Sequence, residues 1–277
     1  MIQETEGNPK TVQEAQSFSD WPKWKEAMDH KISLLEHAGT WTTVPCPHGK
    51  NVVRCKWEFR LKRKADSSID KYKACLVTRG FTQIYGVDYY DTYSLVTWLV
   101  SFHFILAITM HNNWEVEAFN FNSAYLNGEL DADEEIYMQE LPGYETSEVD
   151  VVKWLLKALY GLKQARCKWY DTLHTAMTDL GFQVAGADPG VFVAHIKKHM
   201  LVLMVHVNDC TMTGSSHKLI MAYKGKLHKW YALMDLRPMS WLLGIQVTHN
   251  CEMWAISLSI SRKKLVLFLL IPFLPLK

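Results

Sequence analysis

No apolar run in this sequence is long enough to cross a bilayer. The most apolar stretch, Leu265–Leu276, falls short of the roughly 20 residues that a spanning helix needs, and Pro272 and Pro275 interrupt it. The polar amino terminus has no basic-then-apolar signal pattern, so secretion is not expected. The six cysteines (Cys46, Cys55, Cys75, Cys167, Cys210, Cys251) never fall at the short spacing of a zinc knuckle or redox pair. They read as reduced thiols of an intracellular protein, cytoplasmic or nuclear. Charge of one sign is also missing: 30 Lys and Arg stand against 29 Asp and Glu, a net charge of +1, so no global sign marks a nucleic-acid partner. Repeats and low-complexity tracts are absent as well.

What is present is 48% hydrophobic and 12% aromatic residues over 277 positions, ample for packed cores. The neutral average conceals local bias. Arg54 to Arg79 holds nine Lys or Arg against three acids, and Val151 to Tyr170 holds five bases and no acid. Two such segments can line a groove that tracks phosphates, or can be solvated faces of a hairpin and a helix.

Residues 1–20 read as a flexible leader. Trp24, Ala27, Met28, Ile32 and Leu35 recur at helical spacing and stop at Gly39. Between Val52 and Lys62 the apolar residues Val53, Cys55, Trp57, Phe59 and Leu61 alternate with polar ones, placing Arg54, Lys56, Arg60 and Lys62 on an open face. A polar turn and a second strand, Tyr72 to Thr78, follow. Leu99 to Met110 reads as an apolar helix, Val116 to Phe121 as a short strand, and Asn127-Gly128 as a turn. Two helical patterns flank Gly161 between Val152 and Leu180. The apolar run Met200 to Val207 leads into a hairpin whose turn is expected at Asn208-Asp209. Mixed strands, helices and hairpins favour an α+β fold.

Several strings of the sequence, in order, resemble copia-type reverse transcriptases. They are CKWEFRLKR (55–63), YKACLVTRGFTQIYGVDYYDTYS (72–94), NSAYLNGEL (122–130), EEIYMQELPGY (134–144), LYGLKQA (159–165), HVND (206–209) and LLGIQV (242–247). Their collinearity over residues 21–259 carries the resemblance. Residues 260–277 form a divergent apolar tail, such as a shifted reading frame or a truncated copy produces.

The resemblance implies a right-hand polymerase with fingers and palm, the palm carrying a βαββαβ-like antiparallel sheet. It implies template-primer RNA or DNA and deoxynucleoside triphosphates as partners, and two magnesium ions held by three Asp. Those three positions are Asn120, Asn208 and Asp209, so two of the three carboxylates are amides. Magnesium prefers hard anionic oxygen, and the site's formal charge drops from minus three to minus one. Glu115 and Glu117 lie an odd number of residues from Asn120 and therefore face the other side of the strand. Without the resemblance, Asn208-Asp209 reads as an ordinary turn pair.

Substrate positions follow in the same way. Tyr125 stands where an aromatic ring lies under the incoming sugar, and it reads equally well as a core tyrosine. Lys73 and Arg79 fall at triphosphate-holding positions of the fingers hairpin, and Lys163 and Gln164 beside the template. Cys75, Leu95, the pair Arg166-Cys167 and His206 depart from the family pattern. The expected function is an RNA-directed DNA polymerase that is catalytically impaired or inactive. The alternative is a non-catalytic nucleic-acid-binding remnant.

Overall fold

The computed structural model describes residues 7–64, 66–93, 96–131 and 133–236, together with the backbone of the four strands between 241 and 268 named below. In chain order the first elements are α1 (Val12–Ser17), α2 (Trp21–His37), β1 (Trp41–Pro45), β2 (Val52–Val53), β3 (Cys55–Arg63) and β4 (Ile69–Thr78). Next come α3 (Leu99–His111), β5 (Glu115–Phe121), β6 (Ile136–Met138), β7 (Val151–Leu155) and α4 (Ala165–Asp179). They are followed by β8 (Gln183–Ala185), β9 (Asp188–Ile196), β10 (His199–His206), β11 (Asp209–Gly214), α5 (His217–Trp230) and β12 (Leu233–Asp235). The backbone-only strands are β13 (Trp241–Leu242), β14 (Ile245–Asn250), β15 (Ala255–Ile260) and β16 (Lys263–Phe268). This is a mixed α+β fold. The chain divides into two compact units, Met1–Tyr93 with Tyr125–Thr172, and Ser94–Ala124 with Leu173–Lys277.

In the first unit α2 ends as its sequence dictates. Gly39 takes φ +63°, and the N–H groups of Gly39 and Thr40 return to the carbonyls of Glu36 and Leu35, which satisfies the last turn. Trp24 on α2 buries its ring edge-on against Phe59 and Tyr72. The alternation in β3 does what it promised: Cys55, Trp57 and Phe59 are buried, while Arg60 and Lys62 stay in solvent. Its partner β4 pairs antiparallel, Glu58 opposite Cys75 and Arg60 opposite Lys73. A separate four-stranded sheet runs in the order β1-β7-β6-β2.

Three local expectations are corrected. The segment expected to be a leader contains α1, whose N-cap Thr11 accepts from Glu14 N–H and whose Val12 and Ala15 are buried. The first of the two helical patterns around Gly161 is instead β7, which pairs with both β1 and β6. A short apolar run fits either periodicity, and the strands available on both sides of Val151–Leu155 decide it. The β10–β11 turn is Val207-Asn208, with Asp209 already paired to His206, one residue earlier than expected. Of the tail, β16 pairs with β15, while residues 269–277, like Leu95, lie outside the described residues.

The second unit is built on a six-stranded sheet of order β12-β5-β11-β10-β9-β8, antiparallel throughout. One face carries Val191, Val202 and Met204 against Phe102, Ile105, Leu106 and Met110 of α3. Each such side chain stabilises the fold by about 1.5–3 kcal/mol through burial. The other face meets α5 through a buried ion cluster. Glu117 accepts from Lys224 Nζ at 3.1 Å and lies 3.3 Å from His217 Nε2, and Lys224 also reaches Asp235 at 2.8 Å.

Burial pushes the Cys55 thiol up to about 11 from its ordinary value of 9.0. The unfolded chain therefore ionises this thiol from pH 9 upward while the folded chain holds it neutral. The stability it contributes is complete below pH 9 and lost as pH rises towards 11. By linkage this single group contributes about 2–3 kcal/mol. Urea melts between pH 8 and 11 should show the loss, and Cys55→Ala should make it shallower by this group's share, the thiols of Cys167 and Cys210, which burial also pushes up, supplying the rest; an equally steep decline in the variant would assign the effect to other groups.

Candidate active site

At one end of the six-stranded sheet β5 and β11 bring Asn120 directly opposite Asp209, with the two side chains on one face. Asn120 Nδ2 donates to Asp209 Oδ1 at 2.6 Å, and Phe121 N–H donates to the Asn208 carbonyl at 2.9 Å. The three positions singled out in the sequence are thus gathered at one strand end. Val207, the first turn residue, has φ +59°, a conformation that a β-branched side chain resists and that costs about 1–3 kcal/mol. The tight two-residue turn holds Asn208 and Asp209 at the sheet's edge despite that strain. His206 shares the face of Asp209, as its cross-strand partner.

The donor set does not suit a magnesium ion. Its one carboxylate already accepts from an amide, and the other two side chains offer only neutral oxygens. Glu117 gives no help, because it lies on the opposite face with α5. Among the described residues no group of three or more His, Cys, Asp and Glu is placed to hold a metal.

The other singled-out residues all belong to the first unit. Lys73 is exposed on the hairpin's open face. Arg79 closes β4, its N–H bonded to the Arg54 carbonyl at 2.7 Å. Tyr125 is buried, its ring centroid 4.5 Å from that of Tyr160. Lys163 is exposed, and its N–H donates to Gln83 Oε1 at 2.7 Å. Gln164 is fully buried: its amide accepts from Gln83 Nε2 at 3.1 Å and donates to the Asp88 carbonyl at 2.9 Å. The Asp88 carboxylate in turn accepts from Asn51 Nδ2 at 2.5 Å and Ile84 N–H at 2.7 Å.

This network escaped the sequence reading. Its signal is an acid, Asp88, inside a loop rich in aromatic residues. Around it Phe81, Tyr85 and Tyr90 point to solvent while Gln83 and Asp88 do not. The segment holding Gln164 is fastened to the loop by a second device. Gly161 has φ +96°, and a Cβ there would stand 2.0 Å from the Thr78 carbonyl oxygen; one on Gly80 would stand 2.1 Å from the Gly161 oxygen. The Tyr160 carbonyl accepts from Thr78 N–H at 2.7 Å and from its hydroxyl at 3.1 Å.

Comparison with known proteins agrees with the strings that carry the resemblance. The family model described as reverse transcriptase (RNA-dependent DNA polymerase) matches residues 38–266, which takes in the start of the apolar tail. The chain is 32% identical over 244 residues to the retrovirus-related Pol polyprotein from transposon TNT 1-94 of Nicotiana tabacum, covering 87% of this chain and 18% of that protein. It is also 32% identical over 243 residues to the Pol polyprotein from transposon RE1 of Arabidopsis thaliana, covering 87% of this chain and 16% of the relative. With the truncated transposon Ty1-A Gag-Pol polyprotein of Saccharomyces cerevisiae the identity is 30% over 165 residues, 54% of this chain and 12% of that protein. The chain therefore spans less than a fifth of the length of these relatives. With the family model matching residues 38–266 and two curated Pol polyproteins 32% identical over 87% of its length, the chain belongs to the reverse transcriptase (RNA-dependent DNA polymerase) family, as the reverse transcriptase domain of a copia-type retrotransposon Pol polyprotein.

Proposed function

We propose that the chain is a reverse transcriptase domain that retains the frame for binding template-primer but has lost nucleotide addition. The first unit serves as fingers and the second as palm. The observation that carries the reading is the 2.6 Å bond from Asn120 Nδ2 to Asp209 Oδ1. Phosphoryl transfer needs anionic oxygens free to organise magnesium around the primer hydroxyl and the triphosphate. Here the remaining carboxylate is held by a neighbour that cannot itself carry the charge. In this reading Lys73 and Lys163, both exposed, meet phosphates of the substrate. Gln164, with its amide committed inside the chain, acts as a positioning residue for the Phe81–Tyr90 loop, and Tyr125 supports Tyr160.

Primer extension on an RNA template with magnesium, and then with manganese, is expected to give incorporation at background. Incorporation comparable to an intact copia-type enzyme would overturn the reading. A second measurement separates the impaired polymerase from a pure binding remnant. Residual manganese-dependent incorporation that Asp209→Asn abolishes marks the former; template-primer binding without any such incorporation marks the latter.

A further inference from the structure

We propose that a cleft in the first unit, closed by α1, binds a backbone phosphate of single-stranded nucleic acid. The cleft has a volume of about 340 Å³, and Lys10, Arg54, Lys56 and Arg79 are among the residues that line it. No carboxylate is among the described residues that line it. Lys56 also pairs with Glu58 at 2.9 Å, which leaves Lys10, Arg54 and Arg79 as the lining cations with no carboxylate among the described lining residues. Arg79 Nε is buried and has no hydrogen-bond partner among the described residues. The Arg79 backbone is already fixed, because its N–H is bonded to Arg54 and its carbonyl accepts from Thr82. The guanidinium is thus presented from a rigid base.

Apolar residues line the cleft as well, among them Val12, Trp57 and Pro142. Trp57 donates its indole N–H to the Pro142 carbonyl at 3.0 Å, which pins the ring beside the cations. A charged group attached to a less polar body fits such a cleft, and a phosphate carried on a sugar has that character. Lys10 comes from a segment outside the 38–266 match, so the cleft is completed by residues beyond the part shared with the family. The inference rests on the nucleic-acid part of the proposed function and not on its chemistry.

The probe is a fluorescein-labelled oligo(dT) followed by anisotropy across a salt series, with inorganic pyrophosphate as competitor at matched ionic strength. Lys10→Gln combined with Arg54→Gln, both at exposed positions, should weaken binding about 10- to 30-fold. The same variant should lower the slope of log affinity against log salt by about 0.7, the loss of one phosphate contact. Pyrophosphate should displace the strand from the parent protein and have little effect on the double variant. Arg54→Lys, which keeps the charge, should bind close to the parent, and thermal melts should show all variants folded. A double variant with parental affinity and slope overturns the proposal. Pyrophosphate binding without oligonucleotide binding also overturns it, in favour of a free-phosphate site. If the loss appears only in Lys62→Gln with Lys71→Gln on the hairpin's open face, the cleft is excluded while nucleic-acid binding stands. If the parent protein binds neither probe, the proposed function loses its binding half as well.

Discussion

Replacing Gly161 with alanine is expected to cost about 4 kcal/mol or more, enough to unfold much of the first unit, since a whole domain is stable by only about 5–15 kcal/mol. Two penalties combine. The backbone sits at φ +96°, where an L side chain is strained, and the added methyl would meet the Thr78 carbonyl oxygen at 2.0 Å and Val77 Cγ1 at 2.8 Å. Neither neighbour can move cheaply, because Thr78 is bonded through both its N–H and its hydroxyl to the Tyr160 carbonyl. Gly39→Ala is the matched control. It too lies at positive φ, +63°, but a Cβ there meets nothing within 4 Å, so only the conformational term of about 1 kcal/mol applies. Urea midpoints of the two variants measure the difference. A Gly161→Ala protein as stable as Gly39→Ala would mean that the contact between the two backbones is not as close as described.

The second large effect is expected from repairing the metal site. Asn120→Asp and Asn208→Asp together should raise magnesium-dependent incorporation by about 100-fold over either change alone, because carboxylates that hold one pair of ions act as a unit. Asn120→Asp removes the amide donor to Asp209 and sets two carboxylates face to face, a repulsion that only a cation relieves. The double variant should therefore melt below the parent in EDTA and rise with magnesium, by about 2.7 kcal/mol at a hundred times the dissociation constant. The parent's melting temperature should ignore magnesium. No magnesium response from a folded double variant would mean that positions 120 and 208 are not the lost ligands, whatever the activity.

What the sequence disclosed depended on whether a residue's partner lies near it in the chain. Cys55, Trp57 and Phe59 announce a half-buried strand because alternation is local. Gly39 announces a helix end for the same reason. Glu117 was rightly turned away from Asn120 by counting residues along one strand. By contrast Val151–Leu155 becomes a strand only because Trp41–Pro45 and Ile136–Met138 flank it, and those pairings span about a hundred residues on one side. Gln164 shows the same limit at the site. Its string, LYGLKQA, is one of those that carry the resemblance, yet nothing in it reveals that the amide turns inward to Gln83 and Asp88. The hairpin turn was misplaced by one residue because Asn-Asp is the better turn dipeptide, whereas the register of β10 on β11 puts Val207 there against its preference.

The two faces of β5 differ in what substitution they tolerate. On one side Asn120 forms a neutral, bonded pair with Asp209, so an amide there relieves a charge that the empty protein would have to bear. Three residues earlier, Glu117 is locked into a cluster with Lys224 and His217, and changing it alone leaves the buried Lys224 ammonium with the half-exposed Asp235 as its remaining carboxylate in that cluster. In the proposed reading an acid at position 120 would serve chemistry at a cost to the fold, whereas Glu117 serves the fold and not the chemistry, so the two faces of one strand answer to different demands.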